Sequence, residues 1–154
     1  FFNSNKDAKL IARKMELTDN VIPSSNSSMA KGLFYLGHYL DKKEYLDISE
    51  QMLNNVAANA QQGGGWYSNW LELMLHHTNS FYEVAVIGKD ADQKRTEIEQ
   101  HYHPNKIMVG GKKENGLPLL EYKSVEGETW IYVCVDKACQ MPTDNVSKAL
   151  ELIK

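Results

Sequence analysis

Apolar residues in the first half of the chain recur at helical intervals. Met29, Leu33, Leu36 and Leu40 stand four, three and four apart, which predicts a helix with one apolar face. Just ahead of them, Pro23 is followed by Ser24, Ser25, Asn26 and Ser27. These side-chain oxygens can accept from the free N–H groups of a helix start. After a polar turn at Asp41-Lys42-Lys43, Tyr45, Ile48, Met52 and Val56 repeat the period, and Gln61-Gln62-Gly63-Gly64-Gly65 ends it. Trp66, Trp70, Leu73 and His77 make a third stripe. Connections this short predict antiparallel neighbours, hence a run of helical hairpins over residues 1–79.

From residue 80 the period changes. The run Tyr82-Glu83-Val84-Ala85-Val86-Ile87 before Gly88 is rich in β-branched residues and predicts a buried strand. Asp90 to Tyr102 is polar and compatible with a helix, His103-Pro104 stops it, and Lys106-Ile107-Met108-Val109 reads as a second strand. Strand, helix and strand in so short a span predict a parallel, right-handed βαβ unit. Residues 111–127 read as loop, with a short strand at Leu119 to Tyr122. Thr129 to Val135 is a further strand, and Pro142-Thr143-Asp144 is expected to cap a last helix running through Ile153. The predicted class is therefore α plus α/β, with helical hairpins in 1–79 and a small α/β subdomain in 80–154.

Composition narrows the function. With 42% hydrophobic and 24% charged residues, the 154-residue chain has the balance of an ordinary globular domain. No uncharged apolar run reaches the roughly 18 residues that span a bilayer, so no membrane role is expected. The net charge of -3 comes from well-mixed acids and bases, and the pairs Lys42-Lys43 and Lys112-Lys113 are too small for a nucleic-acid footprint. Two cysteines are too few for a secreted disulfide framework, so a cytoplasmic location is expected. The chain opens Phe1-Phe2-Asn3 without a signal segment. Two leading aromatic residues suggest the interior of a longer domain, unless residues ahead of Phe1 simply go unrecorded.

Several short patterns then line up in order. Phe2, Asn3 and Asp7 precede Arg13, Glu16, Asp19 and Pro23-Ser24-x-Asn26-Ser27. Further on stand Glu83-Val84-x-Val86-x-Gly88, Pro104-Asn105-Lys106 and Tyr132-Val133-Cys134-x4-Cys139-x2-Pro142-x-Asp144. Over nearly its whole length the chain resembles the C-terminal region of the spermatogenesis-associated protein 20 family of thioredoxin-domain-containing proteins. The resemblance implies a thioredoxin-like domain followed by a barrel of paired helices, similar to six-hairpin glycosidases and N-acylglucosamine 2-epimerases. This chain would supply the end of that (α/α)6-type barrel and an α/β appendage, with the N-terminal barrel and thioredoxin domains as partners in the same protein. Met15, Asn20 and Ser25 depart from the family's usual lysine, glycine and glycine, which bears on whether an ancestral pocket is retained.

Candidate chemistry is sparse. Glu16 and Asp19, on the approach to the Pro23–Ser27 helix start, could act as acid and base or hold sugar hydroxyls. Asn26 could join them in binding, and Trp66 and Trp70 could offer aromatic faces to a carbohydrate-like ligand. Against this, Asp19 could fasten its own loop, Glu16 could pair with Arg13, and tryptophans at helical spacing usually pack cores. The adjacent His76-His77 point to different helix faces, and His101-x-His103 abuts Pro104, so no metal is expected. Gly63-Gly64-Gly65 lacks the Lys-Ser/Thr of a phosphate-binding loop, and no cofactor is expected. Cys134 falls in an apolar strand and Cys139 in the following loop, a spacing unlike redox or zinc motifs. They are read as structural thiols, near enough for a disulfide if the turn folds back. Three roles stay open: an enzyme on carbohydrate-like substrates, a non-catalytic binding or scaffold module, and a thiol-linked role beside the thioredoxin domain. Apolar faces meant for absent barrel helices, carrying Leu33, Leu36, Met52 and Trp70, would make the chain self-associate.

Overall fold

The computed structural model describes residues 14–153, which fall into two units. The expectations for Phe2, Asn3, Asp7 and Arg13 lie outside the described residues. Residues 14–37 and 43–78 form a helical unit; residues 38–42 and 79–153 form an α/β unit.

The helical unit contains α1 (Ser25–Tyr39, through residue 37), α2 (Lys43–Asn54), α3 (Ala57–Gly63) and α4 (Ser68–Thr78). A 3-10 turn, Gly64–Tyr67, links the last two. The helix expected through Val56 breaks after Asn54. Asn54 and Asn55 are weak helix formers, and Val56 N turns back to Leu53 O at 3.0 Å, so that Leu53 and Val56 are both buried.

In α1 the buried face differs from the expected one. Ala30, Phe34 and Gly37 are buried, while Met29 and Leu36 are exposed by 50% and 46%, and Leu40 falls just past the end of the helix. At Gly37 the missing side chain lets α2 approach closely. A Cβ on Gly37 would lie 2.5 Å from the Leu46 side chain. Trp70, expected on an exposed face, is instead buried in α4 with Leu73, and Leu33 and Met52 are half-buried.

The α/β unit is built on a four-stranded sheet of order β2-β1-β3-β4. β1 is Tyr82–Ile87, β2 Lys106–Gly111, β3 Trp130–Val135 and β4 Ala138–Cys139. β1 pairs with β2 in parallel through α5 (Ala91–Glu99), as the βαβ reading expects, and with β3 antiparallel. Every residue of β1 is buried, as befits a central strand covered on both faces. Tyr82, Val84 and Val86 join Ile131 and Val133 in a core with Ala91 and Ile98 of α5. Ala149 and Ile153 complete it from α6 (Val146–Leu152) and the residue after it. Two local expectations change. Pro118–Leu120 is a 3-10 turn rather than a strand, with Pro118 fixing the turn's first residue. The cap of α6 is Asn145, whose side chain accepts from Lys148 N at 3.1 Å, rather than Asp144.

Gly88 closes β1 at φ 130°, donating its N–H to Gly111 O at 3.0 Å. A Cβ there would meet Glu128 O at 2.2 Å. Gly88→Ala should therefore lower the unfolding free energy by about 2–3 kcal/mol. Gly116, at φ 82° with open space around it, should tolerate alanine for about 1 kcal/mol. Urea denaturation of the two variants checks the contrast.

Candidate functional site

Glu16, Asp19, Asn26 and Trp70 meet where the segment 14–24 passes the starts of α1 and α4. Ser24 stands just before α1, and its hydroxyl accepts from Ser27 N at 3.1 Å, a local cap of the kind its sequence position suggests. Asp19 is 2% exposed. Its Oδ1 accepts from Ser24 N at 2.9 Å and from Ser27 Oγ at 2.6 Å, and its Oδ2 accepts from Asn69 N at 2.9 Å. One carboxylate thus takes donors from the N-terminal ends of two helices, where the helix dipoles favour negative charge. Its own N–H donates to Trp66 O at 2.7 Å.

The neighbours extend the same junction. Glu16, exposed, accepts from Ser25 N through Oε2 at 3.1 Å, and its carbonyl accepts from Asn26 Nδ2 at 2.8 Å. Leu17 O accepts from Trp70 Nε1 at 2.8 Å and from Ser24 Oγ at 3.2 Å. Asn69 Nδ2 donates to Ser27 Oγ at 3.0 Å. Trp70 is 1% exposed and cannot present a ring to a ligand; its indole holds the segment instead. Trp66, in the 3-10 turn, is 61% exposed and can.

An acid or base needs an oxygen free to meet a substrate proton. Both oxygens of Asp19 are engaged and buried, so the geometry is that of a clamp between segment and helices.

Beside the junction runs a row of side chains, of which only His76 stood out in the sequence. Lys31 Nζ donates to Glu72 Oε2 and to Asn69 Oδ1, each at 2.9 Å. Glu72 Oε1 lies 3.7 Å from His76 Nε2, and Tyr35 Oη lies 3.3 Å from the same nitrogen. The Phe34 and His76 rings stack with centroids 5.7 Å apart. The signal was present in the spacings of four between Lys31 and Tyr35 and between Glu72 and His76, which place each pair on one helix face. His77 turns to Ser49, at 3.4 Å, so the adjacent histidines do part.

The two cysteines, read as thiols, are joined in a disulfide, and Cys139 lies in β4 rather than a loop. The Asp136-Lys137 turn folds the chain back far enough to place Cys139 directly opposite Cys134. Glu83, part of the expected strand and of the pattern Glu83-Val84-x-Val86-x-Gly88, is buried and bonds to His38 Nδ1 at 2.8 Å and to Lys137 N at 3.1 Å. Burial holds the His103 imidazole below its ordinary range, with Lys106 and His101 adding to the effect. Burial pushes the phenols of Tyr39 and Tyr132 up. Among the described residues, no three or more His, Cys, Asp or Glu are placed to hold a metal ion. A cleft of about 690 Å³ opens among Gly88, Lys89, Lys112, Lys113 and the 124–128 loop, and another of about 760 Å³ lies along α2. Neither contains a residue singled out from the sequence as catalytic or binding. Comparison with family models, with curated proteins and with solved structures gives no match.

Asp19→Asn tests the clamp. The amide keeps one acceptor but turns an NH2 toward a buried donor, leaving either Asn69 N or the Ser24–Ser27 pair unsatisfied. The expected loss is about 2–4 kcal/mol in unfolding free energy. A stability loss below about 0.5 kcal/mol in chemical denaturation would contradict the clamp.

Proposed function

We propose that this chain is the C-terminal region of a thioredoxin-fused α/α-barrel protein of the spermatogenesis-associated protein 20 type, acting in the cytoplasm. Its helical unit would serve there as a non-catalytic binding surface for a carbohydrate-like ligand. The observation that carries the binding role is the division within the junction: the carboxylate best placed for chemistry is sealed, while Trp66 is open. An exposed indole offers the flat apolar face on which sugar rings stack, and the nearby Lys31–Glu72 pair offers hydroxyl partners. Among the described residues no helix is long and apolar enough to cross a membrane.

The exposed stripe of Met29 and Leu36 on α1, with Leu75 at 60% on α4, supports the barrel reading. Apolar side chains at helical spacing are what a helix presents to a neighbouring helix, and the other barrel helices would supply it. The same stripe favours a second reading, a scaffold that holds a protein partner without any small ligand.

A thermal-shift and tryptophan-fluorescence screen against mono- and oligosaccharides separates the two. Binding predicts a saturable response that Trp66→Ala abolishes while unfolding stability changes by less than about 0.5 kcal/mol. A response that survives Trp66→Ala removes the stacking role, and no saturable response to any sugar leaves the scaffold reading. The exposed stripe predicts concentration-dependent self-association in light scattering, weakened by Leu36→Lys with Leu75→Lys; a monomer at millimolar concentration would count against it.

A further inference from the structure

We propose that the Cys134–Cys139 disulfide is a reversible redox site, which exchanges with dithiols through Cys139 while the fold stays intact. The two residues face each other across the β3–β4 pair and are bonded. Cys139 is exposed and Cys134 is only 3% exposed, so an incoming thiolate reaches one sulfur and not the other. That asymmetry fixes the order of events. A thiolate of the dithiol bonds to Cys139 Sγ, the S–S bond breaks, and Cys134 leaves as a thiolate that takes a proton from water. The second thiolate of the dithiol then attacks its partner sulfur in the mixed disulfide, and Cys139 leaves and is protonated in turn. Two electrons pass to the protein, and the dithiol ends as its own disulfide.

The backbone allows this without unfolding, because the chain on both sides is held independently of the sulfurs. Beyond Cys139, Gln140 N donates to Val133 O at 2.9 Å. Ile131 and Thr143 then exchange two bonds, at 2.8 and 3.0 Å. These keep residues 140–143 on β3 when the crosslink opens. At the turn, Lys137 N donates to Glu83 Oε2 at 3.1 Å, and the Lys137 ammonium pairs with Asp41. Asp136 and Lys137 both have positive φ, 48° and 66°, a conformation that non-glycine residues keep only when held. Opening the crosslink removes one of the holds on that turn, so the change is confined to about four residues at the sheet edge. This proposal does not depend on the ligand of the helical unit.

The test is reduction of the native chain with dithiothreitol, followed by timed alkylation with iodoacetamide and mass analysis. Reduction should run to completion under native conditions and reverse in oxidised glutathione, and the melting temperature should fall by no more than about 5 °C. In the reduced protein Cys139 should alkylate at least about tenfold faster than Cys134. Cys139→Ser should keep the native circular-dichroism spectrum, which checks that the crosslink is not what holds the fold. Reduction no faster than global unfolding, followed by hydrogen exchange at the β1 amides, would overturn the proposal. So would equal alkylation of both cysteines.

Discussion

A buried carboxylate must find its donors inside the protein, and in the helical unit Asp19 finds them at the starts of two helices. Each charge-assisted bond of this kind contributes about 1.5–3 kcal/mol, and each donor left unpaired would cost a similar amount. The carboxylate therefore fixes more than its own position. It sets where α1 begins relative to α4, which in turn lets Lys31 reach Asn69 and Glu72 and lets Phe34 lie on His76. Trp70 seals the junction from beneath through its bond to Leu17 O. The aromatic residue left outside, Trp66, gives its carbonyl to the same carboxylate residue's N–H, so its ring stands on a rigid support.

The sequence made parts of this legible through simple periods. β1 could be read because β-branched residues end at a glycine, and the capping run after Pro23 because helix starts need acceptors. The buried face of α1 could not. Hydrophobicity ranks Met29 and Leu36 above Ala30 and Gly37, whereas close helix packing ranks them the other way. The hydrophobic stripe marks what a helix can bury; Phe34 and the small residues beside it mark what it does bury in this unit. The Asp19 carboxylate was singled out for the right place and an open role, since sequence carries position along the chain but not the arrival of Asn69, fifty residues away. Glu83 stands in one of the sequence patterns without a role, because a lone acid inside a strand reads as an exception until His38 and Lys137 are seen beside it.

The two units divide the work differently. In the helical unit, buried polar groups join the ends of helices and leave helix faces available to partners. In the α/β unit, apolar layers make the core and the polar investment is concentrated on one carboxylate under a two-residue hairpin. The proposed binding surface would suit the first arrangement and the proposed exchangeable crosslink the second, because each would place its variable part where the fold is not at stake.

The order of strands has a consequence during synthesis. β1 lies at the centre of the sheet but is made first, and its partners follow at residues 106–111 and 130–135. At about 5–20 residues per second, translation from Ile87 to the end of β3 takes roughly 2–10 s. Through that interval a largely apolar strand is free of its intended neighbours and open to identical strands on adjacent nascent chains. Glu83, alone within it, is then a solvated charge, and charge inside an apolar strand opposes pairing with its own copy. The one acidic side chain of the strand, buried in the finished protein, is thus the one that like-charge repulsion would act on before its partners arrive.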